Sequence, residues 1–488
     1  MRAQPNVVYI LADDMGYGDV SALNEKCAFQ TPNFDAIAHD GIAFTDAHAS
    51  SAVCTPSRYS ILTGRYNWRS RLKSGVMSGY SRALIEDGRM TVADLFRQNG
   101  YRTAAIGKWH LGMNFKTDDT FVEREDYETC PGVDYGGKIE KSPITNGFDY
   151  YYGISASLDM PPYIYIENDH FTALPDHETV DYEKRFWRLG STAPDFVHEE
   201  VLPKLTDKVL EKIEEYQNDP FFIYFPMPAP HTPILPSAEF QGKSHTNEYG
   251  DFVLMVDAMV GKIRQKLQDL GLYENTILIM TSDNGCSPMA NFEELLRAGH
   301  NPSYVFRGHK ADIYEGGHRI PLLISWPEGI PAGQVCDQTV CLSDFMATMA
   351  DILESPLPPD AGVDSISNLP LWQDADCPAV REDVVHQSVE GHLSIRKGKY
   401  KLEMCPGSGG WSYPKPGEET PDMPKFQLYN LETDIGERVN IIEEHPAIAE
   451  YLKKLLIAHV RNGRSTPGPV QQNNGAEIWE AVRWMEEC

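Results

Sequence analysis

Asp13 and Asp14 close one apolar run, Asn6–Ala12, and Asp283 and Asn284 close another that begins at Thr276. Four hard oxygen donors of this kind suit Ca2+ or Mg2+, provided that both runs are strands of one sheet whose carboxyl ends gather ligands. Taken singly, each pair would equally well cap the helix after its strand, as Asp and Asn readily do. A third element is Cys54-Thr-Pro56-Ser-Arg58, followed by Leu62-Thr-Gly64. Pro56 fits a helix's first turn and Gly64 its end, so Cys54 stands at the positive end, where anions bind and nucleophiles are activated. Arg58 follows by about one turn and can share a face with Cys54. A lone cysteine is more often simply buried and inert, and spacing alone does not decide between the two.

Three basic pieces complete the set. Gly107-Lys108-Trp-His110 follows a strand-like run, Tyr101–Ile106; Pro230-His231-Thr-Pro233 follows the run Phe221–Phe225; and Arg307-Gly-His309-Lys310 precedes the run Pro321–Ser325. Any one of these cations near a strand end is ordinary surface. Their common placement beside strands of one predicted sheet is what gives them chemical meaning.

The elements that must position these residues are legible in outline. The apolar runs at 6–12, 221–225, 276–280 and 321–325 are continuous rather than alternating, as strands covered on both faces are. Helices are expected over Thr91–Asn99, Asp251–Leu270, Leu342–Leu353 and Pro446–Asn462, the first two stopped by Gly100 and Gly271. Strand–helix alternation over more than 300 residues predicts an α/β sandwich with a large, mostly parallel sheet. Pro, Asp, Gly and Ser collect over 355–378, which places a boundary between a catalytic unit, 1–370, and a smaller C-terminal subdomain, 380–488, contributing to the substrate pocket. Beyond it, Leu393–Leu402 reads as a hairpin turning at Lys-Gly. The stretches 114–146, 158–200 and 287–308 read as long irregular connections that build a pocket.

Composition narrows the partners. Hydrophobic residues at 41% and charged residues at 23% are ordinary for a globular chain, which excludes disordered and fibrous classes. With 43 Lys+Arg against 71 Asp+Glu, the net charge of −28 argues against a nucleic-acid partner. Any anionic substrate must be small and meet a local basic cluster. No run approaches the roughly 18 apolar residues of a membrane span, and no secretory signal is evident, so a cytoplasmic location is expected unless a signal has been trimmed. The nine cysteines are scattered, without a CxxC pair, so neither a disulfide framework nor a zinc cage is expected.

Cys54-Thr-Pro56-Ser57-Arg58, continued by Leu62-Thr-Gly64-Arg65, together with Gly107-Lys108-Trp109-His110-Leu111-Gly112, resembles the two signatures of the type I, formylglycine-dependent sulfatases of the alkaline-phosphatase-like superfamily. The resemblance implies an α/β domain followed by a smaller α+β domain built on an antiparallel sheet. Carried over position by position, it makes Asp13, Asp14, Asp283 and Asn284 calcium ligands, with Cys54, oxidised to formylglycine by a maturation enzyme, also touching the metal. Arg58 and Lys108 match the cations that hold the aldehyde hydrate, His110 its hydrogen-bonding partner, and His231 and Lys310 the groups at the sulfate and the leaving oxygen.

The implied activity is hydrolysis of a small sulfate monoester. A carbohydrate sulfate is favoured by two polar, aromatic segments: 155–169, with Asp159, Tyr163 and Tyr165, and 385–394, with His386, Glu390 and His392. Asp159, Arg307, His309 and His392 are the substrate-binding candidates. The alternatives are an aryl or steroid sulfatase, a phosphodiesterase or phosphonate monoester hydrolase of the same superfamily, a two-zinc phosphatase, which would need further His and Asp ligands, and a catalytically dead binding protein, which incomplete motifs would have favoured. Oligomeric state is not legible.

Overall fold

The computed structural model describes residues 4–124 and 126–487. Its main sheet uses ten strands. In chain order they are β1 (Asn6–Ala12), β2 (Gly41–Phe44), β3 (Arg102–Lys108), β4 (Tyr150–Ile154) and β5 (Ile166–Glu167). Then come β6 (His170–Phe171), β7 (Phe221–Pro226), β8 (Thr276–Ser282), β9 (Leu322–Ser325) and β10 (Gln334–Cys336). Across the sheet the order is β10-β2-β9-β8-β1-β7-β3-β4-β5-β6. The five central strands, β8 to β4, are parallel. The sheet is mostly parallel, as expected, and β10 also runs parallel to β2; the exceptions are β9, antiparallel to both neighbours, and β5 and β6, which turn back along the other edge. A four-residue strand such as β9 carries no direction in its apolar run, so its orientation was not readable.

Continuous apolar character has the cause the sequence implied. Val8, Ile10 and Ala12 of β1 enter one core layer with Phe34, Leu205 and Val253. Val7, Tyr9 and Leu11 enter the opposite layer with Tyr59, Phe96 and Phe345. Helices cover both faces: α1 (Pro32–His39), α2 (Cys54–Thr63), α3 (Val92–Gln98), α4 (Val201–Tyr216), α5 (Glu248–Asp269) and α6 (Phe345–Ile352). Because strand side chains alternate while both faces are buried, alternation of polarity disappears.

A second sheet of four antiparallel strands follows: β11 (Asp383–Gln387), β12 (Leu393–Lys397), β13 (Tyr400–Glu403) and β14 (Gln427–Asn430). The hairpin turns at Gly398, as its Lys-Gly signal required. Val385, Leu393, Ile395 and Leu402 pack against Leu452, Leu456 and Val460 of α7 (Pro446–Arg461). The stretch 158–200 is more regular than expected, for it contains β5, β6 and a ribbon pairing His177–Asp181 with Trp187–Thr192. Its strands are too short and too polar to declare themselves. The eight cysteines among the described residues are free, and Cys488 lies outside them.

Candidate active site at the carboxyl ends of the central strands

Parallel strands deliver their C-terminal residues to one edge, and the register here makes that delivery tight. Ala12 pairs with Ser282, so Asp13 and Asp14 leave β1 beside Asp283 and Asn284 leaving β8. The β7 strand, on the other side of β1, leads to His231; β3 ends at Lys108 and leads to His110; β4 leads to Ser155–Asp159. The helix α2 opens at Cys54 after an extended Val53, with no side chain capping its first turn, so its amide donors remain directed at the site.

The geometry is dense in charge. Ligand atoms of Asp13, Asp14, Cys54 and His231 all lie within 4.8 Å of one another. Lys108 Nζ donates to Asp13 Oδ2 at 2.6 Å, and Lys310 Nζ donates to Asp14 Oδ2 at 2.7 Å. Arg58 donates through Nε and Nη2 to Asp283 Oδ2 at 3.0 and 2.8 Å and through Nη1 to the Lys108 carbonyl at 3.0 Å. Asn284 Nδ2 donates to Asp14 Oδ1 at 2.7 Å. Asp14 takes a left-handed backbone, φ 66°, a conformation that Asp tolerates better than most residues.

Burial raises the cost of every charge here, and the neighbours decide the outcome. Burial opposes ionisation of Asp13, but Lys108, His231, Arg58 and Lys310 together hold it well below the usual carboxylate range. Asp283 is pushed up to about 7, by burial and then by the adjacent Asp13, against the pull of Arg58. Burial likewise pushes the Cys54 thiol up to about 12 despite Lys108 and Lys310. A thiol in that state is a poor nucleophile. His110 is held neutral by burial and by the nearby cations Lys108 and Arg58.

Unsatisfied oxygens identify where a cation would sit. Asp13 Oδ1 and Asn284 Oδ1 are buried without hydrogen-bond partners. Carboxylate and amide oxygens left open in this way are the donor set of a hard divalent cation. Two of the four strand-end side chains thus keep an oxygen free for a divalent cation. The oxygens of Asp14 and Asp283 accept from Lys310, Asn284, Arg58 and the Asp14 N–H, so the donor chemistry fits a cation that would displace some of these contacts. His110 adds a further open atom: its Nε2 contacts the Met77 carbonyl at 2.7 Å, while its Nδ1 is buried and unpartnered.

All ten of the expected catalytic and metal residues converge on this edge, but the substrate candidates divide. Asp159 Oδ1 lies 3.9 Å from His231 Nδ1 and is itself unpartnered. His309 sits in the turn behind Lys310, bonded to the Lys310 carbonyl and near Ser412 Oγ at 3.1 Å. Arg307 points elsewhere: its guanidinium lies 3.8 Å from the Tyr314 ring centroid and donates to the Glu437 carbonyl. His392 is half-buried beneath Gly409, with Nδ1 open. His386 is fully buried and stacks on His318 at 3.7 Å, so it lines no pocket.

Two partners had no signal in the sequence. Arg188 forms a close ion pair with Asp159 from the far strand of the 177–192 ribbon, while its guanidinium lies near the rings of Tyr127 and Phe186. A buried relay also runs Lys401–His318–His48–Asp46, at 3.1, 3.0 and 2.8 Å. Along this path it can be written with neutral imidazoles, and it ties β13 of the antiparallel sheet to the segment that follows β2.

The chain is similar to known proteins over most of its length. The model of the sulfatase family matches residues 5–355. A Bacteroides thetaiotaomicron N-acetylgalactosamine-6-O-sulfatase is 33% identical, over 93% of this chain and 92% of its own. The human N-acetylgalactosamine-6-sulfatase is 29% identical, over 98% and 89% of the two chains. A solved B. thetaiotaomicron structure, from work on the metabolism of multiple glycosaminoglycans, has a TM-score of 0.80 at 31% identity, covering 93% of this chain and 99% of that one. The phosphonate monoester hydrolase of Agrobacterium radiobacter shares the fold, at a TM-score of 0.58 and 19% identity. The family match runs through both strand-end pairs, the helix that opens at Cys54 and the turn that carries Lys310, and it establishes that this chain belongs to the sulfatases, enzymes that hydrolyse sulfuric esters.

Proposed function

We propose that this sulfatase acts on a small sulfated carbohydrate, of the kind named for its N-acetylgalactosamine-6-O-sulfatase relative. The observation that carries the reading is a set of buried, unpartnered polar atoms, Ser155 Oγ, Ser157 Oγ and Asp159 Oδ1, on the segment that leaves β4 beside His110 and reaches His231 at Asp159. Open buried oxygens are costly unless a ligand satisfies them, and sugar hydroxyls are ligands that both donate and accept. A steroid or simple aryl group would leave them unpaired. We assign the walls of this pocket to the segment 155–169 and to the turn between β11 and β12, with the antiparallel sheet of the 380–488 subdomain behind them.

The family generally uses a formylglycine and a divalent metal, and for this chain we assign the first to Cys54 and the second to Ca2+. Asp13, Asp14, Asp283 and Asn284 would hold the cation. When bound, it supplies positive charge beside the nucleophile; the aldehyde hydrate supplies two hydroxyls on one carbon, one to attack sulfur and one to permit release. The unmodified thiol, raised by burial, would do neither.

The remaining work falls to side chains of the chain itself. Arg58, Lys108 and Lys310 bring fixed positive charge to a site that must accept an anion within an acidic molecule. Such pre-aligned cations stabilise charge without reorganising. His231, held between Asp14 and Asp159, is placed to protonate the departing sugar oxygen, with Lys310 beside it. Neutral His110, with its open Nδ1, is the candidate base for release. Asp159, near His231 and paired with Arg188, is our candidate for contacting hydroxyls close to the sulfated carbon.

A panel of sugar sulfates, aryl sulfates, steroid sulfates and phosphate esters with matched leaving groups tests the reading. Turnover should be greatest on a 6-sulfated amino sugar or a close relative. Preference for a steroid sulfate, or for a phosphodiester or phosphonate, would overturn it.

A further inference from the structure

We propose that Asp312 is a positioning residue for Lys310, acting by tying the Arg307–Asp312 turn to the segment 408–412 beyond β13. The proposal rests on the reading of Lys310 as the cation at the ester and its departing oxygen. Lys310 belongs to no helix or strand, so its own element does not fix it. Its backbone N–H donates to the Cys286 carbonyl at 2.9 Å, and that of Ala311 donates to the Ala52 carbonyl at 2.8 Å, two residues before Cys54. Ala311 itself is fully buried with φ 81°, a left-handed conformation costly for a residue with a Cβ. Strain of that kind persists only where the surroundings over-determine it.

The surroundings that do so converge on one carboxylate. Asp312 is fully buried, and its oxygens accept from the backbone N–H groups of His309 at 2.9 Å, Trp411 at 2.8 Å and Ser412 at 2.9 Å. The Ser412 hydroxyl makes a fourth, closer contact. The His309 ring closes the loop, with Nδ1 2.9 Å from the Lys310 carbonyl and Nε2 3.1 Å from Ser412 Oγ. Behind them, Ile313 N–H donates to the Ser408 carbonyl at 2.8 Å, and Val389 N–H to the Ala311 carbonyl at 3.0 Å. A Cβ on Gly410 would meet the Ala311 carbonyl oxygen at 2.4 Å, so the segment approaches this closely only because it lacks one.

Lys310 is thus held from the front by the strand-end loops and from behind by a distant part of the chain, and Asp312 joins the two. Misplacement of a reacting group by about 1 Å costs on the order of 100-fold in rate. A merely structural Asp312 would lower the amount of folded enzyme and leave the chemistry of each folded molecule unchanged.

The test is a double-mutant cycle on folded, metal-loaded enzyme, using a sugar sulfate and an activated aryl sulfate. Asp312→Asn keeps the size but turns an NH2 toward donors, and Ser412→Ala removes the hydroxyl's two ties, to Asp312 and to His309, while the carboxylate itself stays in place. Each should lower kcat on the sugar sulfate by about 10–100-fold, with KM changed less and the aryl sulfate spared more. On a Lys310→Ala background, each should cost less than about threefold further, because groups that act through one residue are not additive. Full additivity with Lys310→Ala, or equal loss on both substrates, would overturn the positioning role. Should Asp312→Asn fail to fold, Ser412→Ala carries the same cycle. Lys310→Ala without effect on either substrate would overturn the reading of Lys310 itself, a failure distinct from the first.

Discussion

At the residue scale, the proposed chemistry depends on what Cys54 would become rather than on what it is. A buried thiol raised to about 12 cannot serve as a thiolate at neutral pH, so the enzyme's activity should track oxidation of this one side chain. In a host able to mature it, the Cys54 peptide should appear as formylglycine by mass spectrometry, and Cys54→Ala should abolish turnover while the fold survives. Full activity with unmodified thiol would refute the assignment. His231 carries a second expectation. A nitrophenolate departs with little help, whereas a sugar alkoxide needs a proton, so His231→Ala should slow a sugar sulfate by about 10²–10⁴-fold and an activated aryl sulfate visibly less. Equal losses would make His231 a group that positions sulfate, and the acid would lie elsewhere.

These residues were legible because their spacing is short or their strand context is simple. Cys54 and Arg58 share one helix turn, and Asp13–Asp14 and Asp283–Asn284 each end an apolar run. Arg188 and Asp312 were not legible. Arg188 reaches Asp159 across 29 residues by way of a ribbon with no motif, and the Asp312 contacts with Trp411 and Ser412 span about 100 residues, with α6 and β9 to β13 between them. Arg307, by contrast, was picked out by its neighbours in sequence, but its backbone carries the guanidinium toward Tyr314 and Glu437. Proximity in sequence says where a backbone passes, not which way a long side chain turns.

At the element scale, the site is set by how closely the central strands approach. Gly107, near the end of β3, has φ 134°, and a Cβ there would meet the Pro226 carbonyl oxygen of β7 at 2.0 Å. Gly107→Ala should therefore push β3 from β7 and move Lys108 relative to His231. Overpacking of this kind costs typically 1–3 kcal/mol, and turnover should fall further than that loss of stability alone predicts. Thermal unfolding and kcat on the same preparation check it; unchanged kcat would mean that the strand spacing is not what aligns the two residues. A second element-level device is Asp257 of α5, which accepts from Asn33 and Phe34 backbone N–H groups at 3.0 and 2.9 Å and so caps α1. Burial pushes its carboxyl up to about 6. A raised folded-state value means that the native protein holds this proton more firmly than the unfolded chain, so the contribution to stability is present below about pH 4 and lost as pH rises toward 6. Between those limits wild type should lose on the order of 1–3 kcal/mol relative to Asp257→Asn, measured by denaturant unfolding at both pH values. Parallel curves for the two proteins would assign the shift to other groups.

At the scale of the whole molecule, a chain of net charge −28 gathers three carboxylates and three cations at one buried edge. Arg58, Lys108 and Lys310 face Asp13, Asp14 and an Asp283 whose carboxyl burial pushes up to about 7, so the carboxylates offset most of the cationic charge before any anion or metal arrives. That pairing lets the fold form, but it ties the cations to carboxylates. A divalent cation on the open oxygens of Asp13 and Asn284 would take over those carboxylates and release positive charge for the ester. Binding only the folded state, it would also stabilise that state by mass action, by about 2.7 kcal/mol at 100 times its dissociation constant. Chelation should thus lower both turnover and the unfolding temperature, and Ca2+ should restore both. The discriminating control is Asp283→Asn, which alters a proposed site ligand while changing the total charge by at most a single unit. Its unfolding temperature should respond weakly to chelator and to added Ca2+. An undiminished response in that variant would mean that calcium acts by screening the acidic surface as a whole, and the strand-end oxygens would then have some other ligand.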